Sequence, residues 1–143
     1  MSRNLSNWEF GIREALLLKI NRLDHLVLTV KDLDQTCDFY TDVLGMEMKI
    51  FSGNRRALSF GVQKINLHQH GNEPEPKALK PTPGAADLCF ITDVSIDDVV
   101  NHLKARSVQI IEGPVEKAGA QGSILSVYFR DPDGNLVEVS NTL

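Results

Sequence analysis

The chain has 143 residues, 42% of them hydrophobic and 24% charged, enough apolar material for one compact domain that needs no disulfides. A net charge of −4 and a pI near 5.5 exclude the basic footprint of a nucleic-acid binder. The longest apolar run near the N-terminus, residues 15–20 (ALLLKI), is too short and too poorly flanked for a membrane span or a secretory signal, so a cytoplasmic setting is expected.

Residues 1–20 stand apart as an N-terminal extension. A short helix is expected over 10–18, either packed on a partner subunit or dispensable. Alternating apolar residues then predict a strand over 23–30. Asp32 follows as a helix N-cap, with Gln35 in the capping-box position. Leu33, Thr36/Cys37, Tyr40 and Leu44 recur at helical spacing, and Gly45 fits the C′ position. Three short strands are expected at 46–51, 57–61 and 64–70. Residues 71–84 (GNEPEPKALKPTPG) hold four of the six prolines and read as a linker.

The same order then recurs. A strand is expected at 87–92, then a helix capped by Ser95, with Asp98 in the box position and Ile96, Val99/Val100 and Leu103 facing inward. A short strand at 108–112 and a loop rich in Gly and Ala lead to Gly122. Strands at 124–130 and 135–139 are joined by the hairpin turn Asp131-Pro132-Asp133-Gly134. The chain thus reads as an α+β fold. Two tandem βαβββ units, 21–71 and 85–143, form a single domain over 21–143, a curved mixed sheet with helices outside. Cys37 and Cys89 lie in apolar runs without metal-ligand spacing and read as core thiols of a reducing compartment.

Strand side chains alternate between faces. In the first strand Leu26, Leu28 and Val30 suit the helix side, which turns His25 to the concave side. By the same rule Ile65 and Leu67 turn His68, and Val137 and Val139 turn Glu138, to the concave side. Leu88 and Phe90 do so for Asp87 and Cys89. His25 and Asp87 each begin a first strand, and His68 and Glu138 each lie in a last strand. Two imidazoles and one or two carboxylates converging on a common centre suit a divalent ion such as zinc, nickel, iron or manganese. A strand histidine taken alone is more often packed or solvated than a ligand, and Glu138 alone reads as a polar residue on an open face. The joint pattern across both units favours ligands. His70 reads as a solvated loop residue and His102 as a solvent-facing residue of the outer helix.

The stretches LDHLVLTVKDLDQTCDFYTDVLGMEM and VYFRDPDGNLVEVSN resemble the vicinal oxygen chelate superfamily, also called the glyoxalase/bleomycin-resistance/dioxygenase superfamily, over residues 21–143. Within it the chain looks most like the glyoxalase domain-containing protein 5 group, which includes lactoylglutathione lyase-like proteins. The resemblance implies one ligand from each of four strands: His25, His68, Asp87 and Glu138. Glyoxalase I itself usually has His, Glu, His, Glu in those places. It also implies a homodimer and a lyase or isomerase acting on a small oxygen-chelating substrate. The hemithioacetal of a 2-oxoaldehyde and a thiol such as glutathione is one such substrate, and Glu138 would be both ligand and base. Another reaction on the same metal, epimerisation or thiol transfer, is the alternative. A third reading, from a different class, is a resistance protein that sequesters a small molecule without turnover.

Overall fold

The structure, a computed structural model, describes residues 17–143. The helix expected over 10–18 falls outside the described residues except at Leu17 and Leu18, which are exposed and not helical. The elements run β1 (His25–Val30), α1 (Leu33–Asp42), β2 (Glu47–Phe51), β3 (Arg55–Phe60), β4 (Gln63–Gln69), β5 (Asp87–Ile91), α2 (Ile96–Ala105), β6 (Glu112–Gly119), β7 (Gly122–Arg130) and β8 (Leu136–Thr142). Each unit builds its own four-stranded mixed sheet, ordered β1-β4-β3-β2 and β5-β8-β7-β6. The curved sheet expected from the sequence is thus made of two halves.

The caps act as the sequence implies. Asp32 accepts from the Gln35 amide at 3.0 Å and Ser95 from the Asp98 amide at 3.2 Å, each satisfying an orphan N–H of a first turn. Gly45, two residues past the C-cap Val43, has φ +66°, a conformation glycine adopts without steric cost. Two hydrophobic clusters form, one per unit. Phe39, Leu44 and Phe90 pack against both and so weld the units together.

Four expectations are corrected. The strand expected at 108–112 and the loop after it are replaced by β6, Glu112–Gly119. Its Gly, Pro and Ala residues are poor strand formers. Yet β6 is an edge strand, and Pro114 sits inside a register shift between Glu112 and Val115, where a missing N–H is tolerated. His102 is not solvent-facing. It is half-buried, and its Nε2 lies 2.8 Å from the Val43 carbonyl, an otherwise orphaned group at the end of α1. Cys37 is buried in the core as expected, but Cys89 is exposed, because its strand turns it to the concave face. The fourth correction concerns the register of His68.

Candidate metal centre

The parallel ladders decide which residues share a face. In the first sheet His25 pairs with Lys64, Val27 with Asn66 and Thr29 with His68. In the second, Asp87 pairs with Leu136 and Cys89 with Glu138. Glu138 therefore sits two residues beyond the partner of Asp87. The residue two beyond the partner of His25 is Asn66. The sequence sets His68 as the counterpart of Glu138, but the register gives that place to Asn66. His68 lies level with Thr29, four residues or about 13 Å along the strand from His25. His68 is thus two residues, one same-face row, beyond the ladder position equivalent to Glu138.

Asp87 and Glu138 line one cleft of about 390 Å³ on the concave face of the second sheet, together with Tyr128, Arg130 and Lys117. Three larger concavities, of about 740, 530 and 480 Å³, lie elsewhere and include none of the four predicted ligands. The turn before β8 sets this geometry. Asn135 Oδ1 accepts from the Ala86 amide at 2.8 Å, and the Leu136 amide donates to the Ala86 carbonyl at 3.1 Å. These bonds lock the start of β5 onto β8 and so bring Asp87 beside Glu138. Asp131, 5% exposed, holds the turn itself. Its carboxylate accepts from the Asp133 and Asn135 amides, from Asn135 Nδ2 and from Tyr40 Oη of α1, all within 2.9 Å.

Glu138 is held from below. Ser126 Oγ donates to Glu138 Oε2 at 2.6 Å, and Ser140 Oγ lies 2.6 Å from Ser126 Oγ. Cys89 Sγ is 3.4 Å from Ser140 Oγ. Tyr128 is the cross-strand partner of Glu138. Burial, and then the Glu138 carboxylate, pushes its phenol up to about 12, so it stays protonated and able to donate at neutral pH.

On the first sheet, His25 Nδ1 lies 2.9 Å from Asp24 Oδ2. That bond holds the Asp24 carboxyl below its usual range. A carboxylate on Nδ1 fixes the ring and leaves Nε2 as the free lone pair, the arrangement common behind metal-bound histidines. Asn66 and His68 are each 6% exposed. Asn66 Oδ1 and His68 Nε2 are buried without a hydrogen-bond partner among the described residues. Burial, and then the Arg55 cation, lowers the His68 pKa and keeps the ring neutral.

The four residues expected to share one ion are thus split between two sheets. Among the described residues of one chain, no three His, Cys, Asp or Glu side chains stand close enough to hold a metal. Sequence reasoning missed Asp24, Ser126, Ser140, Tyr128 and Asn66. Alternation alone would have put Ser126, Tyr128 and Asn66 on the concave face, but it names no partner for them.

Two βαβββ units with polar residues on their concave faces define a class, and the family comparison agrees. Residues 22–139 match the model of the Glyoxalase/Bleomycin resistance protein/Dioxygenase superfamily, to which the chain therefore belongs. Virulence protein STM3117 of Salmonella typhimurium is 53% identical over 137 residues, covering 96% of this chain and 95% of that protein. Its crystal structure superposes with a TM-score of 0.87, covering 88% of this chain and all of that one. Glyoxalase domain-containing protein RDO1 of Mycosarcoma maydis is 54% identical, covering 90% of this chain and 73% of that protein. Further away are metallothiol transferase FosB of Staphylococcus epidermidis, 26% identical over 85% of this chain and 82% of that protein, and the fosfomycin resistance protein FosX of Listeria monocytogenes. The FosX structure, a complex with Mn(II), is 25% identical with a TM-score of 0.61 and covers 87% of this chain and 94% of that one. No helix among the described residues is long and apolar enough to cross a membrane.

Proposed function

We propose that the protein is a metal-dependent, glyoxalase-like lyase or isomerase whose centre is completed between two copies of the chain. His25 and Asn66 of one copy and Asp87 and Glu138 of the other would hold the ion. The observation that carries this reading is the pair of half-sites. Each concave face holds ligand-type atoms at equivalent ladder positions, and on the first face the buried Asn66 Oδ1 has no hydrogen-bond partner among the described residues. Their charges are complementary. Arg55 and Lys64 on the first face and Asp87 and Glu138 on the second form no salt bridge among the described residues. A set of one imidazole and three oxygens suits manganese or iron better than zinc. Homodimerisation follows, because neither half-site is complete alone.

A divalent ion bound there supplies polarisation of two adjacent substrate oxygens. The remaining chemistry belongs to the chain. Glu138 takes the proton from the carbon bearing one of those oxygens and returns it to the neighbouring carbon. For a hemithioacetal, C1 loses its proton, C2 gains it, and a 2-hydroxyacyl thioester results with no net change in atoms. Ser126 fixes Oε2 of Glu138 and leaves the other oxygen free to face the substrate. Tyr128, its cross-strand partner, stands beside the carboxylate as a protonated donor.

The test is turnover of the hemithioacetal of methylglyoxal and glutathione by Mn(II)- or Fe(II)-loaded protein, followed as thioester absorbance. Formation that chelation abolishes is the expected result. A loaded protein that forms no thioester overturns the lyase reading. Thiol transfer on the same centre is the second reading, supported by the likeness to a metallothiol transferase. It would appear as metal-dependent thiol consumption on an epoxide.

A further inference from the structure

The concave face of the first sheet carries more than ligand-type atoms. Arg55 and Arg56 are adjacent on β3 and point to opposite faces. Arg56 reaches the helix side and pairs with Asp34 of α1. Arg55 faces the concave side, where Phe51 is its cross-strand partner. The Arg55 guanidinium carbon lies 5.0 Å from the Phe51 ring centre, and Lys64 Nζ lies 4.3 Å from the same centre. Lys64 reaches this ring from two rows away, across the small, buried Ala57. Two cations thus lie within 5.0 Å of the centre of one aromatic ring.

Neither has an acidic partner among the described residues. Glu47, on the same face, pairs with Lys49 at 3.5 Å. Asp24, which feels the Lys64 charge, is already bonded to His25 and lies 3.8 Å from Arg22. Arg55 Nε and His68 Nε2 are buried without hydrogen-bond partners among the described residues. His68, 6% exposed, falls opposite Arg55, since Arg56 pairs with Leu67. A neutral imidazole can carry its proton on Nε2 and donate it. Three donors thus lie on the same concave face with no acidic partner among the described residues.

We propose that Arg55, Lys64 and His68 bind an oxyanion, a carboxylate or phosphate carried by the substrate, on the Phe51 platform. The inference rests on the metal-centre reading for its orientation. His68 lies two residues along β4 from Asn66, or about 7 Å. The anionic group therefore lies on the same concave face as the chelating atoms, one row along β4 from Asn66 at His68. A planar fork and a mobile ammonium together suit either oxyanion.

The test titrates the metal-free full-length protein with inorganic phosphate and, separately, with acetate, by calorimetry. Saturable binding of at least one is expected. Phosphate alone identifies a phosphate substituent, and acetate alone a carboxylate. Arg55→Met and Lys64→Met should each weaken binding at least tenfold, Arg55→Lys should restore part of it, and Arg56→Met should leave it unchanged. Circular dichroism confirms that each variant is folded, and the charge-retaining Arg55→Lys serves if Arg55→Met is not. No binding of either anion, or binding that the Met variants leave intact, overturns the proposal. Mn(II) titration of the same samples keeps the two readings separate. If the unmodified protein binds Mn(II) but neither anion, only the anion site falls; if it binds an anion but no Mn(II), only the metal centre falls.

Discussion

At the scale of single residues, Glu138 is the informative position. It is a half-buried carboxylate that faces a cleft and bonds Ser126, so glutamine fits its place with little loss of packing. Glu138→Gln should leave the thermal midpoint within a few degrees and lower metal affinity at least tenfold, because a neutral amide is the poorer ligand. Equilibrium dialysis with Mn(II) checks this, and unchanged affinity would remove Glu138 from the centre. The ladder makes a sharper distinction between Asn66 and His68. Asn66→Ala should reduce metal content, whereas His68→Ala should retain it. His68 also carries a pH dependence in the metal-free protein. Its folded pKa is depressed below 6.5, so the unfolded chain binds the proton first. The stability it contributes is present above pH 6.5 and is lost as pH falls from there through the folded pKa. A His68→Gln variant should show a flatter acid limb in urea titrations. His102 is no silent control: its bond to the Val43 carbonyl predicts a loss of about 1 kcal/mol in His102→Ala. His70, with its side chain 55% exposed, is the better control.

At the scale of elements, the β7–β8 turn does the structural work behind the site. Asp131→Ala would strand the Tyr40 hydroxyl, two amides and the Asn135 side chain in a buried place. A loss of about 3 kcal/mol is expected in denaturant titration, since breaking a satisfied buried polar network costs far more than forming a surface contact. Gly113 gives a second check. With φ +105° at the β6 register shift, an added Cβ would run into the Ser126 carbonyl. Gly113→Ala should therefore destabilise and also disturb the Ser126–Glu138 bond. These elements show what a sequence can disclose. The capped helices and the alternating strands β1, β4, β5 and β8 were legible because burial on one face writes a period into the chain. β6 was not, because an edge strand can tolerate Gly and Pro that its own residues would argue against. The concave faces were legible from alternation, but the row of each residue was not. Register is set by turn geometry and by how paired strands seat their apolar faces, which one strand read alone does not show, and it places Asn66, rather than His68, at the ladder position equivalent to Glu138.

At the scale of the whole molecule, the division of the predicted ligands between two sheets has a consequence that simple mass measurement cannot capture. If the centre joins one copy's first sheet to the other copy's second sheet, each dimer holds two equivalent sites. A His25→Ala chain ruins the site to which it lends the first sheet. A Glu138→Gln chain ruins the site to which it lends the second. At a metal concentration too low to fill the weakened sites, either homodimer is then empty at both. In a mixed dimer one site carries both lesions and the other carries neither. Unfolding and refolding the two variants together should yield mixed dimers as half of the population. Metal content should then recover to about a quarter of that of the unmodified protein, and any activity with it. A centre contained within a single chain predicts no recovery at any ratio, because every chain in the mixture remains damaged. The measurement is metal per chain after gel filtration of the refolded mixture, with each variant refolded alone as the baseline. Recovery near a quarter would establish that the half-sites of this chain meet across the dimer. Metal content no higher than the baselines would return all the ligands to one chain, where the described residues offer no cluster of three.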